Sequence, residues 1–288
     1  MTPTGAKVPD RRVEGCGSVY WQTHIPLWRA SASAPGAEKL IDIEEPDMAI
    51  LMWSGMEDAA AAVDPDAAGG TAGIGKDGRQ TGLIAHGDPV RIGHALESLA
   101  LDTGEKLPGP AFAMVPRSLR GVLSPSMLGW FGEHWGNDWD FYWTDTALPA
   151  RSGQERVERI DDGALGIVRD VLAQASPTSE AIAELETYRW FGIREKGEMA
   201  AVIGSRPGVD GSGNPFTYLG GLGTLPRFRG RGIGGALLAG VTARDLESHG
   251  TVTFGMWGEN PARRLYDSLG FINGGEQVIA SVTPFDSH

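Results

Sequence analysis

The stretch that most constrains the fold is Leu222-Gly223-Thr224-Leu225-Pro226-Arg227-Phe228-Arg229-Gly230-Arg231-Gly232-Ile233-Gly234-Gly235-Ala236-Leu237-Leu238. An extended segment runs through a proline and three arginines into a glycine-rich turn, and an amphipathic helix follows. In that helix Ile233, Leu237 and Val241 recur at i, i+4 and i+8, with Leu238, Thr242 and Leu246 beside them. This is the spacing of a face turned toward a core. A helix that opens on Gly232-Ile233-Gly234 presents unpaired backbone N–H groups with no side chains in front of them. Together with the positive end of the helix dipole, those amides make an anion site suited to a pyrophosphate. Arg227, Arg229 and Arg231 add positive charge around the same turn.

The rest of the chain sets limits on partners. Its 288 residues are enough for one large domain or two of ordinary size. A net charge of −12 argues against a nucleic-acid partner, which requires a broad basic surface. From Glu155 onward 13 Lys and Arg face 17 Asp and Glu, a balance of −4, so the remaining −8 lies in the first 154 residues. The arginine cluster thus stands against an acidic background. Cys16 is the only cysteine, which excludes a disulfide framework and a thiolate zinc site, and no metal is expected. The N-terminus lacks an apolar core of signal-peptide length and no run approaches membrane-spanning length. The expectation is a soluble cytoplasmic protein with no membrane partner.

Residues 1–18 read as a disordered tail, 19–150 as an N-terminal α/β domain and 155–288 as a second domain, with Leu148–Gly153 at the boundary. In the first domain Val19–Trp28 suits a first packed segment and Asp47–Trp53 a buried strand. Met56–Gly82 reads as a long loop with a short helix at Ala59–Val63. Gly70–Asp77 nearly spells a phosphate-binding P-loop, but Asp77 occupies the Ser/Thr position and no strand precedes it, so it is read as a linker. Asp88 caps a helix that opens on Pro89 and repeats Ile92, Leu96 and Leu99, with His94 in a structural or surface role. Ala111–Val115 is a strand. The aromatic run Trp130, Phe131, Trp135, Trp139, Phe141, Tyr142 and Trp143 is read as packing a core or interface rather than caging a ligand.

In the second domain, strands are expected at Val157–Ile160, Tyr188–Arg194, Glu198–Gly204, Phe216–Leu225, Val252–Trp257 and Gln277–Val282. Helices are expected at Gly163–Ala175, Ser179–Leu185, from the arginine–glycine turn to His249, and after Asn260-Pro261. Arg206–Asn214 reads as a loop.

Arg229-Gly230-Arg231-Gly232-Ile233-Gly234 has the form Arg/Gln-x-x-Gly-x-Gly/Ala, and it resembles the signature of the GCN5-related N-acetyltransferases. The strand-to-turn sequence Leu222-x-Thr224-x-Pro226-x-Phe228 before it is similar to that family's. Asn260 and Leu265-Tyr266-Asp267-Ser268-Leu269-Gly270-Phe271 after it resemble the family's second helix and closing strand. The resemblance covers about residues 155–288. It implies an α/β (α+β) fold with a mixed sheet, flanked by helices and splayed between Phe216–Leu225 and Val252–Trp257, with acetyl-CoA in the gap. Backbone groups of Leu222, Gly223 and Thr224 would hold the pantetheine arm and thioester. Residues Arg229, Gly230, Arg231, Gly232, Ile233, Gly234 and Gly235 would cradle the pyrophosphate, and Asn260 would sit near the pantetheine. Tyr266 would be the general acid that protonates the leaving thiolate.

The chain departs from the family twice. Asn260 and Tyr266 are six positions apart, one fewer than usual, and Val252–Trp257 carries no carboxylate to act as base. Glu259 and Tyr218 are candidates for that role by proximity in sequence, each with a structural reading beside it. Arg263 and Arg264 are read as a solvated helix face, the alternative being a contact with the coenzyme 3′-phosphate. Some family members carry two tandem halves, one without a cofactor site, and residues 19–150 are compatible with such a half covering the acceptor side. The expected activity is transfer of acetyl from acetyl-CoA to a primary amine on a small molecule. The alternatives are a protein amino group as acceptor and a non-catalytic acyl-CoA sensor. Monomer and homodimer both remain open.

Overall fold

The computed structural model describes residues 38–45, 48–55, 80–102, 109–209 and 214–281. The expected tail, the segment at 19–28, the short helix at 59–63 and the P-loop-like stretch at 70–77 lie outside the described residues.

Eleven strands among these residues form one sheet, in the order β1-β2-β3-β4-β11-β5-β10-β9-β8-β7-β6. The strands are β1 (Glu38–Glu45), β2 (Met48–Gly55), β3 (Gln80–Gly87), β4 (Phe112–Pro116), β5 (His134–Thr144) and β6 (Glu158–Arg159). They continue with β7 (Arg189–Glu195), β8 (Glu198–Val209), β9 (Pro215–Thr224), β10 (Val252–Trp257) and β11 (Ile272–Ser281). The helices are α1 (Pro89–Asp102), α2 (Pro125–Phe131), α3 (Leu165–Ala175), α4 (Ile233–His249) and α5 (Arg263–Leu269). Two pairs are parallel, β3 with β4 and β9 with β10, and the other pairs are antiparallel. The mixed α+β architecture expected from the sequence is the one observed.

Side-chain alternation gives the sheet two different faces. In the first half, Ile50, Met52, Leu83, Ala85, Ala113 and Val115 face a core completed by Ile92 and Leu96 of α1 and by Met127 and Phe131 of α2. The alternate residues Ala49, Leu51, Trp53, Ile84, Met114 and Phe141 form a separate cluster, against which Trp139 and Trp257 pack. In the second half the same rule puts Gly204 against Tyr188, whereas its neighbour Ser205 donates a 2.6 Å bond to Asp245 of α4. Asp245 is fully buried, and burial pushes its carboxyl up while the Ser205 hydroxyl pulls it down.

Local signals end the elements where expected. Asp88 Oδ1 accepts the Arg91 N–H at 2.9 Å and caps α1, and Gly250 stops α4 at φ 74°. Three segments differ from the sequence reading. Ser179–Leu185 contains the first of two short 3₁₀ turns, Glu180–Ile182 and Leu185–Thr187, rather than one helix. Strand β8 runs on through Arg206 to Val209, because Arg206–Val209 pair in register with Tyr218–Pro215. The aromatic run contains a strand, β5, that the sequence reading did not identify. It pairs with β10 on one side and β11 on the other, so β5 lies inside the second half and β11 separates it from β4.

Candidate active site

Strand β9 pairs with β10 only through Thr217↔Val252 and Tyr218↔Thr253. Beyond those pairs the strands part. Among the described residues no strand lies against the β10 side of residues 219–224, because β10 stays paired to β5 along its whole length. A bulge opposite Ile203 bends β9 at this point, with Gly221 at φ 62°, a conformation that favours glycine. A Cβ on Gly221 would also come within 2.6 Å of the Trp190 ring. The divergence opens a cleft of about 150 Å³ lined on this side by Leu219–Leu222, Leu238, Phe254, Met256, Asn260 and Tyr266.

The glycine turn leads from the end of β9 to α4. Gly230 and Gly232 take left-handed φ values of 74° and 76°, so the chain turns without a Cβ and leaves the first α4 amides in front of it. Gly232 occupies the N-cap position and offers no side chain to satisfy them. A Cβ on Gly234 would stand 2.9 Å from Thr224 Oγ1, so glycine is required for this close approach. The backbone donors, the helix dipole and the absent side chains fit a diphosphate.

The arginines divide the work in a way the motif alone does not show. Arg229 does not aim at the turn. Its Nε donates to Thr224 O at 3.1 Å and its Nη2 to Ala175 O at 2.9 Å, tying the turn to β9 and to the end of α3. Arg227 pairs with Glu198. Arg231 is exposed and lies over the Phe228 ring at 5.4 Å, beside the glycine turn.

Tyr266 on α5 is 6% exposed and packs against Phe254 at 4.5 Å and Tyr142 at 5.6 Å. Among the described residues its hydroxyl has no hydrogen-bond partner, and the ring lines the cleft. Burial pushes its phenol up to about 12, so it holds its proton at neutral pH. Asn260 also lines the cleft, but its Oδ1 accepts the Ala262 N–H at 2.9 Å and its backbone oxygen accepts from Arg263. It therefore shapes the turn before α5, which begins at Arg263 rather than at Pro261.

Strand β5 fixes α5. Tyr142 stacks on Phe254, with centroids 5.6 Å apart and planes 8° from parallel, and donates to Asp267 at 3.1 Å. Asp140, fully buried, pairs with Arg263 and with Arg117 at 3.1 Å. Arg263 is thus held to Asp140 with its side chain 32% exposed, rather than directed at a phosphate, whereas Arg264 is exposed. Of the candidate bases, Glu259 is exposed and outside the cleft lining. Tyr218 lines the cleft, and its hydroxyl accepts the Gly255 N–H at 3.3 Å, bridging the two diverging strands. Burial and the neighbouring Tyr188 and Glu180 push the Tyr218 phenol well up.

The sequence reading missed Glu180, Tyr188 and Trp139 as cleft residues. No local motif marks them, and only the strand pairings of β5 and β9 bring them together. Among the described residues no group of His, Cys, Asp and Glu is arranged to hold a metal ion, and no helix is long and apolar enough to cross a membrane.

Comparison with known proteins agrees with this geometry. Residues 165–271 match the model of the Acetyltransferase (GNAT) family. No curated protein matches the chain. A GCN5-related N-acetyltransferase from Sphaerobacter thermophilus is similar in structure at 13% identity, covering 96% of this chain and 93% of its own, with a TM-score of 0.50. At that identity the likeness is one of fold. A GCN5-related N-acetyltransferase from Kribbella flavida aligns at 14% identity over 93% of this chain and 95% of its own, with a TM-score of 0.48. An acetyltransferase of the GNAT family from Novosphingobium aromaticivorans aligns at 16% identity, over 83% and 89% of the two chains, with a TM-score of 0.44. Residues 165–271 of this chain thus carry the sequence pattern of the Acetyltransferase (GNAT) family, and the solved structures show a similar fold.

Proposed function

We propose that the protein is an acetyl-CoA-dependent N-acetyltransferase acting by direct transfer to a primary amine on a small molecule. The observation that carries this reading is the cleft where β9 and β10 part, lined by Leu222 of β9, Leu238 of α4 and the Tyr266 ring, with the glycine turn joining that strand to that helix. When bound, the coenzyme would supply an acetyl group activated as a thioester. The α4 amides with Gly230 and Gly232 would hold its diphosphate, and Arg231 would add a nearby positive charge. The β10-facing edge of Leu222, Gly223 and Thr224, where no described strand pairs, would bond the pantetheine arm and orient the carbonyl.

The amine nitrogen would bond to the acetyl carbon as the carbon–sulfur bond breaks. Tyr266 would deliver its proton to the departing sulfur, the nitrogen would lose one proton to water in the cleft, and the Tyr266 phenolate would regain a proton from that water to complete the cycle. Burial keeps Tyr266 in the protonated form that a proton donor needs.

The first half is read as a degenerate acetyltransferase-like domain. Its order β1-β2-β3-α1-β4-α2-β5 repeats that of β7-β8-β9-α4-β10-α5-β11, including a parallel pair flanking the first helix of each set. The two differ where a diphosphate would bind. Eight residues, 225–232, separate β9 from α4, but only Asp88 separates β3 from α1, and its carboxylate already caps that helix. A carboxylate in that position repels phosphate.

The test is release of free thiol from acetyl-CoA with a panel of amines, wild type against Tyr266→Phe. The expected result is amine-dependent release that falls about 10²-fold or more in kcat for Tyr266→Phe, with coenzyme affinity unchanged. Coenzyme binding with no thiol release for any amine would indicate an acyl-CoA sensor instead. Turnover unaffected by Tyr266→Phe would remove the acid.

A further inference from the structure

The helix that carries Tyr266 is held in place by charges that come from outside it. Helix α5 is seven residues long, and its N-cap residue Ala262 makes no side-chain capping bond. Arg263 and Arg264 in its first turn oppose the helix dipole. A helix this short is marginal without tertiary contacts, so whatever docks α5 also decides where the Tyr266 ring stands. Ring packing on Phe254 and Tyr142 supplies one support. The other acts through Arg263, three residues before Tyr266 and one turn earlier on the helix.

Asp140 of β5 is fully buried and bracketed by two guanidinium groups. Arg263 pairs with its Oδ2, and Arg117 Nη2 donates to its Oδ1 at 3.1 Å. Arg117 follows β4 directly, and in the sheet β11 lies between β4 and β5, so the guanidinium reaches past a whole strand. Its Nε also pairs with Asp138 Oδ2 at 2.9 Å, two residues before Asp140 and on the same face of the strand. Arg263 closes the other end: its Nη2 donates to Gly258 O at 3.2 Å, while the Gly258 N–H donates to Asp138 O at 2.6 Å. A Cβ on Gly258 would lie 2.8 Å from Asp138 Cβ and 3.3 Å from Arg117 Nη2, so glycine lets these groups close together. The turn before α5 and the first residue of that helix are thereby tied to β5 by a chain of contacts that starts in the first half. Trp139, between the two aspartates, and Trp257, just before Gly258, are cross-strand partners and both line the cleft.

We propose that Arg117 and Asp140 are positioning residues for Tyr266, so that the first half of the chain, through Arg117, sets the placement of α5 from which the phenol meets the departing sulfur. The inference rests on the acetyl-transfer reading above, with Tyr266 as the acid, and goes beyond it by giving the first half a part in the chemistry. A buried carboxylate with two arginines loses more hydration than an apolar side chain there would, so stability alone is a weak reason for the network. Its contacts converge on one short segment, 258–263, three residues from the acid. Proton transfer needs hydrogen-bond distance, and a displacement of about 1 Å can cost ~10²-fold in rate.

The test is a double-mutant cycle on the full chain, comparing wild type, Arg117→Gln, Tyr266→Phe and the double variant. It reads kcat for thiol release from acetyl-CoA with the best amine of the panel, and coenzyme A affinity by calorimetry, which also shows that each variant is folded. Arg117→Gln leaves Asp140 paired with Arg263. It should lower kcat by about tenfold to a hundredfold with the KM for acetyl-CoA within about twofold. Where Tyr266 is already phenylalanine, the same substitution should lower kcat by less than about threefold, because the group it positions is gone. Arg263→Gln, which leaves Asp140 paired with Arg117, should repeat the pattern from the other end and decides the matter if Arg117→Gln does not fold. A kcat within about twofold of wild type, or an equal fractional loss in both backgrounds, overturns the inference and leaves Tyr266 as the acid. Loss of coenzyme A binding in both single variants marks the network as a support of the fold and overturns it equally. An unchanged kcat in Tyr266→Phe removes the acid and the inference together, and no thiol release by wild type with any amine overturns acetyl transfer as well.

Discussion

Replacing Gly255 by alanine tests how the cleft is kept open. A Cβ at this position would lie 2.3 Å from Trp139 Nε1, 2.8 Å from Cε2 and 2.9 Å from Cζ2, all inside the contact distance that real side chains keep. Either the indole or strand β10 must move by about 1 Å. If the indole retreats, it leaves its edge contact with Trp257, whose rings now stand 4.4 Å apart, at a cost of about 0.5–1.5 kcal/mol besides the strain of overpacking. If β10 retreats, the Gly255 N–H loses Tyr218 Oη, now 3.3 Å away, and an unpaired N–H in a part-buried site costs about 1–3 kcal/mol. Both routes converge on a loss of roughly 1–3 kcal/mol. Denaturant unfolding followed by tryptophan fluorescence measures it, and steady-state kinetics reads the site. The variant should raise the amine KM severalfold with coenzyme affinity within about twofold, because the glycine turn lies on the other side of the sheet. A stability change under about 0.5 kcal/mol together with an unchanged amine KM would refute the claim that the Trp139 packing on Gly255 and the Tyr218 bridge shape the cleft at this point.

Two further predictions concern the cradle and the buried phenols. Arg229→Ala removes two charge-assisted bonds to Thr224 O and Ala175 O and should weaken coenzyme binding about tenfold, or about 1.4 kcal/mol, by calorimetry. Arg229→Lys should not restore it, since an ammonium cannot serve the two carbonyls as a planar fork does. Burial raises the phenols of Tyr188 and Tyr266 from about 10 to about 12, so their contribution to stability is complete below pH 10 and is lost as pH rises through 12. The ceiling is roughly 2.7 kcal/mol per tyrosine, and Tyr266→Phe should flatten the fall in denaturation midpoint between pH 10 and pH 12.

The readable parts of the sequence were those whose physics is local. Gly232 and Gly250 bracket α4 through their own backbone angles, and Asp88 with Pro89 marks the start of α1 through a cap. The parallel strands β9 and β10 read as apolar runs. Strand β5 was harder to see because it is buried between two partners with bulky residues on both faces, and Asp140 in its middle breaks any apolar pattern. Asp140 is tolerated there because Arg117, and Arg263 from 123 positions later, both pair with it. The same long-range pairing explains why Arg263 reads as a surface residue in one dimension. Arg229 looked like a phosphate ligand because a motif records that an arginine is present, not where its guanidinium points. The cleft lining draws residues from separate segments, Glu180, Tyr188, Tyr218, Trp139 and Trp257 among them, and nothing in any one segment announces the others.

The central claim is that the glycine turn and the α4 N-terminus hold the diphosphate of the coenzyme. Titration calorimetry of coenzyme A and of pantetheine, which lacks the diphosphate, against wild type and Gly232→Asp tests it most directly. The new carboxylate would stand before the amides at φ 76°, where like-charge repulsion of about 1–4 kcal/mol acts on the diphosphate alone. The account predicts that Gly232→Asp weakens coenzyme A by tenfold to several hundredfold and leaves pantetheine within about twofold. Equal affinity of wild type and Gly232→Asp for coenzyme A would contradict it.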